Sequence, residues 1–518
     1  MKKAYMIVHE LDVNKGGMTT AMLTRSKEFL DNKIEGNIVT FDYKAHYENI
    51  LKKLVDSNKM DKRTKMFNPF IYFKEKSNKK RKRNNRTINK KLSQLMKISV
   101  EIKDNNNISR FFNNKSGEYV IYKKKINEEL IFDLFENNMR NKRIHFYNGK
   151  LHKIDIFNYK NELVAEQFYD DHGYLYVYRQ INPSNGNIGN TYLINDKKHF
   201  KNNVEFCTYF LEQLITDSKE SIMICDGPGS FPKMLETNHK KAKKFAVIHV
   251  NHFKNFDSSG AVKKKEDYIL KNSSKINGIV VLTEAQKKDI VNKYKMDNIY
   301  VISNFINITK NYYTNNSNIV GHISRLVPQK GLTYLIEVAQ KVVEKNKQIE
   351  FHLYGNGEER EKLENLIQEK KLNNNVKLLG YTTNAIEKIK EFGCVISTSQ
   401  FEGQGLSMIE AMLLKKPVIA FDVKYGPSDF IKDGKNGYLI ENKNIEDMAA
   451  KILKVLEDKK TANELGNNGR KTIIDLYNSE KLIKKSSPDS CVKCYTMFLP
   501  FLLIKIDVFS WRINPFIM

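Results

Sequence analysis

Tryptophan and cysteine are scarce, and acidic side chains are outnumbered: 518 residues contain one Trp, five Cys and ten Pro, with 60 Asp plus Glu against 87 Lys plus Arg. The five cysteines, Cys207, Cys225, Cys394, Cys491 and Cys494, are too few and too scattered for a disulfide framework. Cys491-Val-Lys-Cys494 has no second pair to complete a zinc site. These absences exclude a disulfide-stapled secreted scaffold and fit a reducing cytoplasm. The opening Met1-Lys-Lys-Ala-Tyr-Met-Ile-Val8 lacks the apolar length and small-residue cleavage site of a signal peptide, so export is not expected. The apolar run Tyr495 to Ile504, interrupted by Pro500, is too short for a membrane-spanning helix.

What is present is positive charge. A net charge of +27 and a pI near 9.5 attract polyanions: nucleic acid, anionic lipid or phosphate polymers. The competing reading is a lysine-solvated surface, since Lys, Asn and Ile abound along the whole chain as in proteins from AT-rich genomes.

The chain length predicts two or three domains. Ala4 to Val8 reads as a buried strand, Glu10 to Gly17 as a polar loop with paired glycines, and Met18 to Leu30 as a helix, the opening of a parallel α/β sheet. Lys76 to Lys91, with the dense run Lys79-Lys-Arg-Lys-Arg83, interrupts this pattern and marks a boundary. From Glu118 to Leu193 short alternating strands and turn pairs such as Asn148-Gly149 predict an antiparallel β insertion. The α/β texture returns at Ser221 to Cys225, Lys244 to His249 and Gly278 to Leu282. A second series runs through Ile319 to Ser324, Glu350 to Tyr354, Val376 to Leu379, Cys394 to Ser397 and Pro417 to Ala420. The expectation is therefore an α/β protein of two Rossmann-like, doubly wound domains, residues 1–75 with 194–305 and residues 306–482, a β-rich insertion at 76–193, and an atypical tail at 483–518.

Ligands of such sheets bind beyond the carboxyl ends of the strands. There Gly321-His-Ile-Ser-Arg325-Leu-Val-Pro-Gln-Lys330-Gly331 delivers two cations before a helix, a metal-free way to hold a diphosphate leaving group. Solvated loop cations are the bland alternative. Ser399-Gln-Phe-Glu402-Gly-Gln-Gly-Leu-Ser-Met-Ile-Glu410 follows the strand ending at Ser397 and sets two carboxylates across a glycine-containing loop. Gly403 and Gly405 would let backbone approach a ligand, with Glu402 accepting from sugar hydroxyls and Glu410 from ribose. Ser407-Met-Ile-Glu410 also fits a capping box, in which Glu410 only satisfies helix amides.

This Glu-x7-Glu element with the upstream Arg325 and Lys330 resembles the signature of the retaining glycosyltransferase family 4, whose fold is GT-B. More narrowly, His9-Glu-Leu-Asp-Val-Asn-Lys-Gly-Gly-Met18, the β insertion and the basic stretch resemble wall teichoic acid α-glycosyltransferases, over roughly residues 1 to 480. The resemblance implies α-N-acetylglucosamine or glucose transfer from UDP-GlcNAc or UDP-glucose to hydroxyls of a poly(ribitol phosphate) or poly(glycerol phosphate) chain. It implies donor binding by the Gly17 amide, Asn304, Arg325, Lys330, Glu402, the Gly403, Gly405 and Leu406 segment, Glu410, and Tyr381 and Thr382 beside the base. His249 would face the donor sugar or acceptor. It further implies no cofactor and no metal, an oligomer built through the insertion, of trimer type, and a cytoplasmic location at or near the inner membrane face. No specific nucleic acid partner is expected. Three alternatives remain open: a nucleic-acid binder using Lys76 to Lys91, a glycosyltransferase of serine-rich proteins, and an inactive scaffold with an aberrant C-terminus.

Overall fold

A computed structural model describes residues 3–13, 16–80, 87–216, 221–238, 240, 242–254, 260–304 and 317–477. The basic residues 81–86, Cys491, Cys494 and the whole tail lie outside the described residues. Two parallel sheets carry the chain. The first has seven strands in the order Ile299–Val301, Gly278–Val281, Ala242–Ile248, Ser221–Cys225, Lys3–Ile7, Glu35–Val39 and Met66–Phe67. The second has six, in the order Val376–Gly380, Glu350–Tyr354, Ile319–Ile323, Cys394–Ser397, Val418–Phe421 and Tyr438–Ile440. Their strands are short and apolar on both faces because helices cover each side, as parallel sheets require; Ser221–Cys225 and Cys394–Ser397 are buried at every residue. The two Rossmann-like domains expected from the sequence are thus present, with Glu35–Val39, Met66–Phe67 and Tyr438–Ile440 as additional strands.

In each sheet the strand order reverses once. The crevice falls between Lys3–Ile7 and Ser221–Cys225 in the first domain, and between Ile319–Ile323 and Cys394–Ser397 in the second. These switch points are where such folds bind ligands.

The insertion is a ten-stranded antiparallel meander in strict sequence order from Ser99–Asn105 to Lys198–Phe200. Its strands span Ser99 to Phe200. Lys76 falls inside the helix Pro69–Lys80. At the other end a further strand, Lys198–Phe200, pairs back onto Ile188–Leu193 through the Asn195-Asp196-Lys197 turn. The helix Thr87–Lys97 closes one face of the sheet through Leu92, which packs with Phe111, Ile121 and Phe132. Among the described residues no helix is long and apolar enough to cross a membrane.

Candidate functional site

In the second domain the strand Ile319–Ile323 ends at Ser324 and Arg325, followed by a tight turn Pro328–Lys330 and the helix Leu332–Lys345. Gly331 takes φ +58° at that helix start, and a Cβ there would sit 2.2 Å from the Thr398 carbonyl oxygen, so only glycine lets the two loops close. They are zipped together: the Gln400 amide donates to the Gln329 carbonyl at 2.9 Å and Thr398 Oγ1 to the Lys330 carbonyl at 3.2 Å. This zipper brings Lys330 Nζ to 2.6 Å from Glu402 Oε1, and Ser399 Oγ donates to the same oxygen at 2.7 Å. Lys330 and Glu402 therefore form a pair in which the ammonium keeps two further donors and the carboxylate keeps Oε2. The Arg325 guanidinium is exposed and has no side-chain partner among the described residues.

Gly405, at φ +83°, caps the helix Leu406–Leu413. The first helical amides, those of Leu406 and Ser407, have no intrahelical acceptor and point a partial positive charge into the crevice. Because the helix begins at Leu406, Ser407 is not its cap and the capping-box alternative for Glu410 fails. Glu410 stands instead half-buried in the second turn, where desolvation pushes its carboxyl up to about 7.

Across the cleft, Gly17 opens the helix Gly17–Asp31, and a Cβ on it would meet Leu406 Cδ1 at 3.9 Å. Two helix N-termini thus face one another. Farther along the same helix, Arg25 Nη1 reaches both oxygens of Asp226, at 2.9 and 3.0 Å. Asp226 Oδ1 also lies 2.8 Å from His249 Nε2. Asp226 is fully buried, and His249 follows the strand Ala242–Ile248. Burial alone would raise the Asp226 carboxyl, but the Arg25 charge and the His249 contact outweigh it and hold it below the usual carboxylate range. This chain, Arg25 to Asp226 to His249, fixes the imidazole and leaves its Nδ1 as the unused nitrogen. Arg25 and Asp226 are absent from the sequence expectation; the signal that could have found Asp226 is its position at a strand end, directly before Gly227-Pro-Gly229.

The domains meet directly. Gln404 Oε1 accepts from the Asn304 backbone amide at 3.2 Å and from Asn304 Nδ2 at 2.9 Å. At Gly403 a Cβ would lie 1.8 Å from the His249 carbonyl oxygen, so the missing side chain lets the two domains touch there. Tyr425 Oη and Lys424 Nζ both reach Asp289 Oδ2, at 2.8 and 3.1 Å, and the Tyr425 ring lies parallel to His252 at 6.2 Å. Tyr381, after the strand Val376–Gly380, turns its phenol to the first domain, where Lys59 Nζ donates to it at 2.5 Å and the Val13 carbonyl accepts from it at 3.3 Å. Thr382 Oγ1 accepts from the Asn384 amide at 3.1 Å, which shapes the following turn.

One group of side chains with metal-ligand character occurs among the described residues: Glu129, His145 and His152, whose ligand atoms lie within 4.8 Å of one another. It sits on three neighbouring strands of the insertion and not at the strand ends of the cleft.

Comparison with known proteins gives this geometry a setting. Residues 304–472 match the family model described as glycosyl transferases group 1. The chain is 52% identical, over 94% of its length and 99% of the relative's, to the poly(ribitol-phosphate) alpha-N-acetylglucosaminyltransferase of Staphylococcus aureus (strain COL). It is 25% identical, over 88% of its length and 70% of the relative's, to the poly(glycerol-phosphate) alpha-glucosyltransferase of Bacillus subtilis (strain 168). A crystal structure of the S. aureus TarM G117R mutant in complex with fondaparinux, alpha-GlcNAc-glycerol and UDP superposes with a TM-score of 0.90 at 52% identity, covering 94% of this chain and 99% of that one. The pneumococcal O-GlcNAc transferase GtfA shares the fold, with a TM-score of 0.70 at 18% identity, over 93% of this chain and 97% of that one.

Proposed function

The chain belongs to the poly(ribitol-phosphate) alpha-N-acetylglucosaminyltransferase family within the glycosyl transferases of group 1, and from that premise we propose that it transfers α-N-acetylglucosamine, with retention, from UDP-GlcNAc to hydroxyls of poly(ribitol phosphate) wall teichoic acid. The observation that carries the reading is the Lys330–Glu402 pair, 2.6 Å apart, beside the uncapped N-terminus of Leu406–Leu413 at a strand-order switch point.

Breaking a glycosidic bond to UDP puts negative charge on the diphosphate, and preorganised donors aimed at that charge lower the barrier. Arg325, the two spare donors of Lys330, and the amides of the Gly17 and Leu406 helix starts supply them. Glu402 Oε2 accepts from a donor-sugar hydroxyl, and Gly403 and Gly405 shape the loop that presents it. Glu410 accepts from the ribose hydroxyls, Tyr381 and Thr382 flank the base, and Asn304 ties the hinge to the sugar loop. His249 Nδ1 accepts a hydroxyl hydrogen of donor or acceptor. Attack comes from the face the diphosphate leaves, and a donor phosphate oxygen takes the acceptor proton, so Glu402 and Glu410 are binding carboxylates and not a glycosidase dyad. The donor site works without a metal: the cations that a divalent ion would replace are Arg325 and Lys330.

The acceptor polymer is polyanionic, which suits a protein of net charge +27. Self-association as a trimer runs through the insertion, whose edge strand Ser99–Asn105 leaves Val100 and Ile102 more than half exposed. An unpaired apolar edge is a template for a second copy. The reaction takes place in the cytoplasm, against the inner membrane face where the growing polymer is held.

Incubation of the protein with poly(ribitol phosphate) and poly(glycerol phosphate), with equal UDP-GlcNAc and UDP-glucose, followed by mass spectrometry of both polymers, tests the reading. N-acetylhexosamine on the ribitol polymer is expected. Hexose on the glycerol polymer would replace it with the activity of the B. subtilis relative, and addition to neither would point to a protein acceptor or an inactive chain. Unchanged addition in the presence of EDTA is expected for the metal-free donor site.

A further inference from the structure

The first domain has a switch-point crevice of its own, between the ends of Lys3–Ile7 and Ser221–Cys225. His9 and the Gly227-Pro-Gly229 loop form its rim. They are pressed together: a Cβ on Gly227 would lie 3.6 Å from Val8 Cα and 3.7 Å from the His9 nitrogen. Over Gly229, Lys265 Nζ sits 3.6 Å from where a Cβ would be. Below the rim is Lys233, whose side chain is only 5% exposed and whose Nζ lies 4.2 Å above the ring of Phe41. Phe41 is fastened to the same rim, its amide donating to the His9 carbonyl at 2.9 Å.

Among the described residues the Lys233 ammonium has no carboxylate and no hydrogen-bond acceptor. The stem of Lys233 is buried, but its ammonium is not among the enclosed polar atoms, so above the Phe41 ring it stays open to the crevice. The neighbouring acids make their ion pairs with other cations. Asp226 is bound by Arg25 and His249, while Glu10, Asp12 and Asp42 all lie within 3.7 Å of Lys44. Burial and then the nearby Lys233 lower the His9 pKa, with Lys265 adding a little, while Asp42 and Glu10 pull it the other way. Three basic side chains therefore face one crevice, one of them nearly buried, and none of them forms an ion pair with an acid among the described residues.

We propose that Lys233, Lys265 and His9 form an anion subsite for a phosphodiester of the acceptor polymer, seated at the first domain's switch point. The position suits the chemistry. Gly227 directly follows Asp226, whose carboxylate holds His249 at 2.8 Å, so a phosphate on Lys233 and Lys265 brings the polyol unit beside it to the imidazole and the cleft. Lys233 supplies a fixed charge that needs no ordering on binding, Lys265 closes from the rim, and the two together select a polymer with phosphate in its backbone over a neutral glycan.

This inference rests on the polyol phosphate reading above, and the test separates the two. Binding of unmodified poly(ribitol phosphate) is measured calorimetrically without donor, for the full chain and for Lys265→Gln, Lys233→Gln and Lys233→Arg, alongside binding of UDP. The expected result is about a tenfold or greater loss of polymer affinity for each Gln variant, in line with one charge-assisted contact. Partial recovery is expected in Lys233→Arg, with a shallower salt dependence in the Gln variants and unchanged UDP affinity throughout. Lys265 is exposed, so its variant stays informative even where Lys233→Gln destabilises the fold. Polymer affinity and salt dependence unchanged in Lys265→Gln and in a folded Lys233 variant would overturn the subsite while leaving the transfer reading intact. Polymer that binds the wild-type chain through these lysines yet receives no sugar would instead remove the transfer reading and keep the subsite.

Discussion

The two walls of the cleft are built on the same strand-loop-helix plan and carry their charge differently. On the first-domain wall the His249 imidazole is pre-bonded: His249 is held by Asp226, and Asp226 by Arg25, with Arg25 and Asp226 buried. On the second-domain wall Arg325 is exposed, Lys330 has donors to spare, and Glu410 is half-buried with its carboxyl pushed up to about 7. The difference separates two duties. On the proposed reading, one wall positions a group whose orientation must not vary, and the other keeps charge unspent for a donor that brings its own two phosphates.

Removing the Glu402 carboxylate attacks the second wall where it is most committed. Glu402→Ala should lower kcat by at least about a hundredfold with the fold retained, because the sugar loses an orienting acceptor and Lys330 loses its 2.6 Å partner. Steady-state kinetics with circular dichroism as a control would show it, and near-wild-type turnover would refute the assignment.

The first wall predicts a smaller loss of different character. Asp226→Asn keeps the shape but removes the charge facing Arg25 and frees His249 to turn over. A fall in kcat of about tenfold or more, with UDP affinity unchanged, is expected. Asp226→Asn combined with His249→Ala should lose little beyond His249→Ala alone, since Asp226 acts through the imidazole. Additive losses in that cycle would mean that Asp226 is only a structural support.

Glu410 sharpens the contrast by pH. On the proposed reading ribose hydroxyls bind the ionised carboxylate, which burial pushes up to about 7 in the ligand-free chain, so UDP affinity should rise as pH goes from 6 to 8, with proton release on binding. Calorimetry in buffers of different ionisation enthalpy reads that release. Glu410→Gln should abolish both the release and the pH dependence; persistence of either in the variant would locate the proton elsewhere.

The smallest effect concerns stability. Burial lowers His252, at the seam between the domains, and His322, beneath the second wall, from the usual 6.5 to about 4. Between those values the unfolded chain binds protons that the folded one refuses, so stability present above pH 6.5 is lost as pH falls toward 4. Denaturant midpoints should drop between pH 7 and 5, less so in His252→Phe. A variant that titrates like the wild type would show that the seam does not bury that imidazole.

Much of this was legible in the sequence, for local reasons. Buried parallel strands announce themselves as short apolar runs with a loop and a helix after them, and Arg325, Lys330, Glu402 and Glu410 stand just past such runs. What was not legible depends on partners far apart along the chain: Arg25 and Asp226 are 201 residues apart and meet only because the sheet sets the two segments side by side. The glycine at 403 signalled a close approach but could not say to what, and the structure answers with the His249 carbonyl. Ser407 imitated a helix cap because the left-handed Gly405 that starts the helix earlier leaves no mark beyond being glycine. The insertion was visible by its alternation only from Glu118. Its first strand, Ser99–Asn105, is exposed at six of seven positions, and its two apolar residues, Val100 and Ile102, make too short an alternation to stand out.

The central claim is that this cleft moves N-acetylglucosamine to the ribitol polymer from the face that the diphosphate leaves. Proton NMR of the modified poly(ribitol phosphate), taken before any anomer can equilibrate, tests it most directly. The account predicts a single α-anomeric N-acetylglucosamine signal that is lost in Glu402→Ala; a β-anomeric product, or an α signal undiminished in that variant, would contradict it.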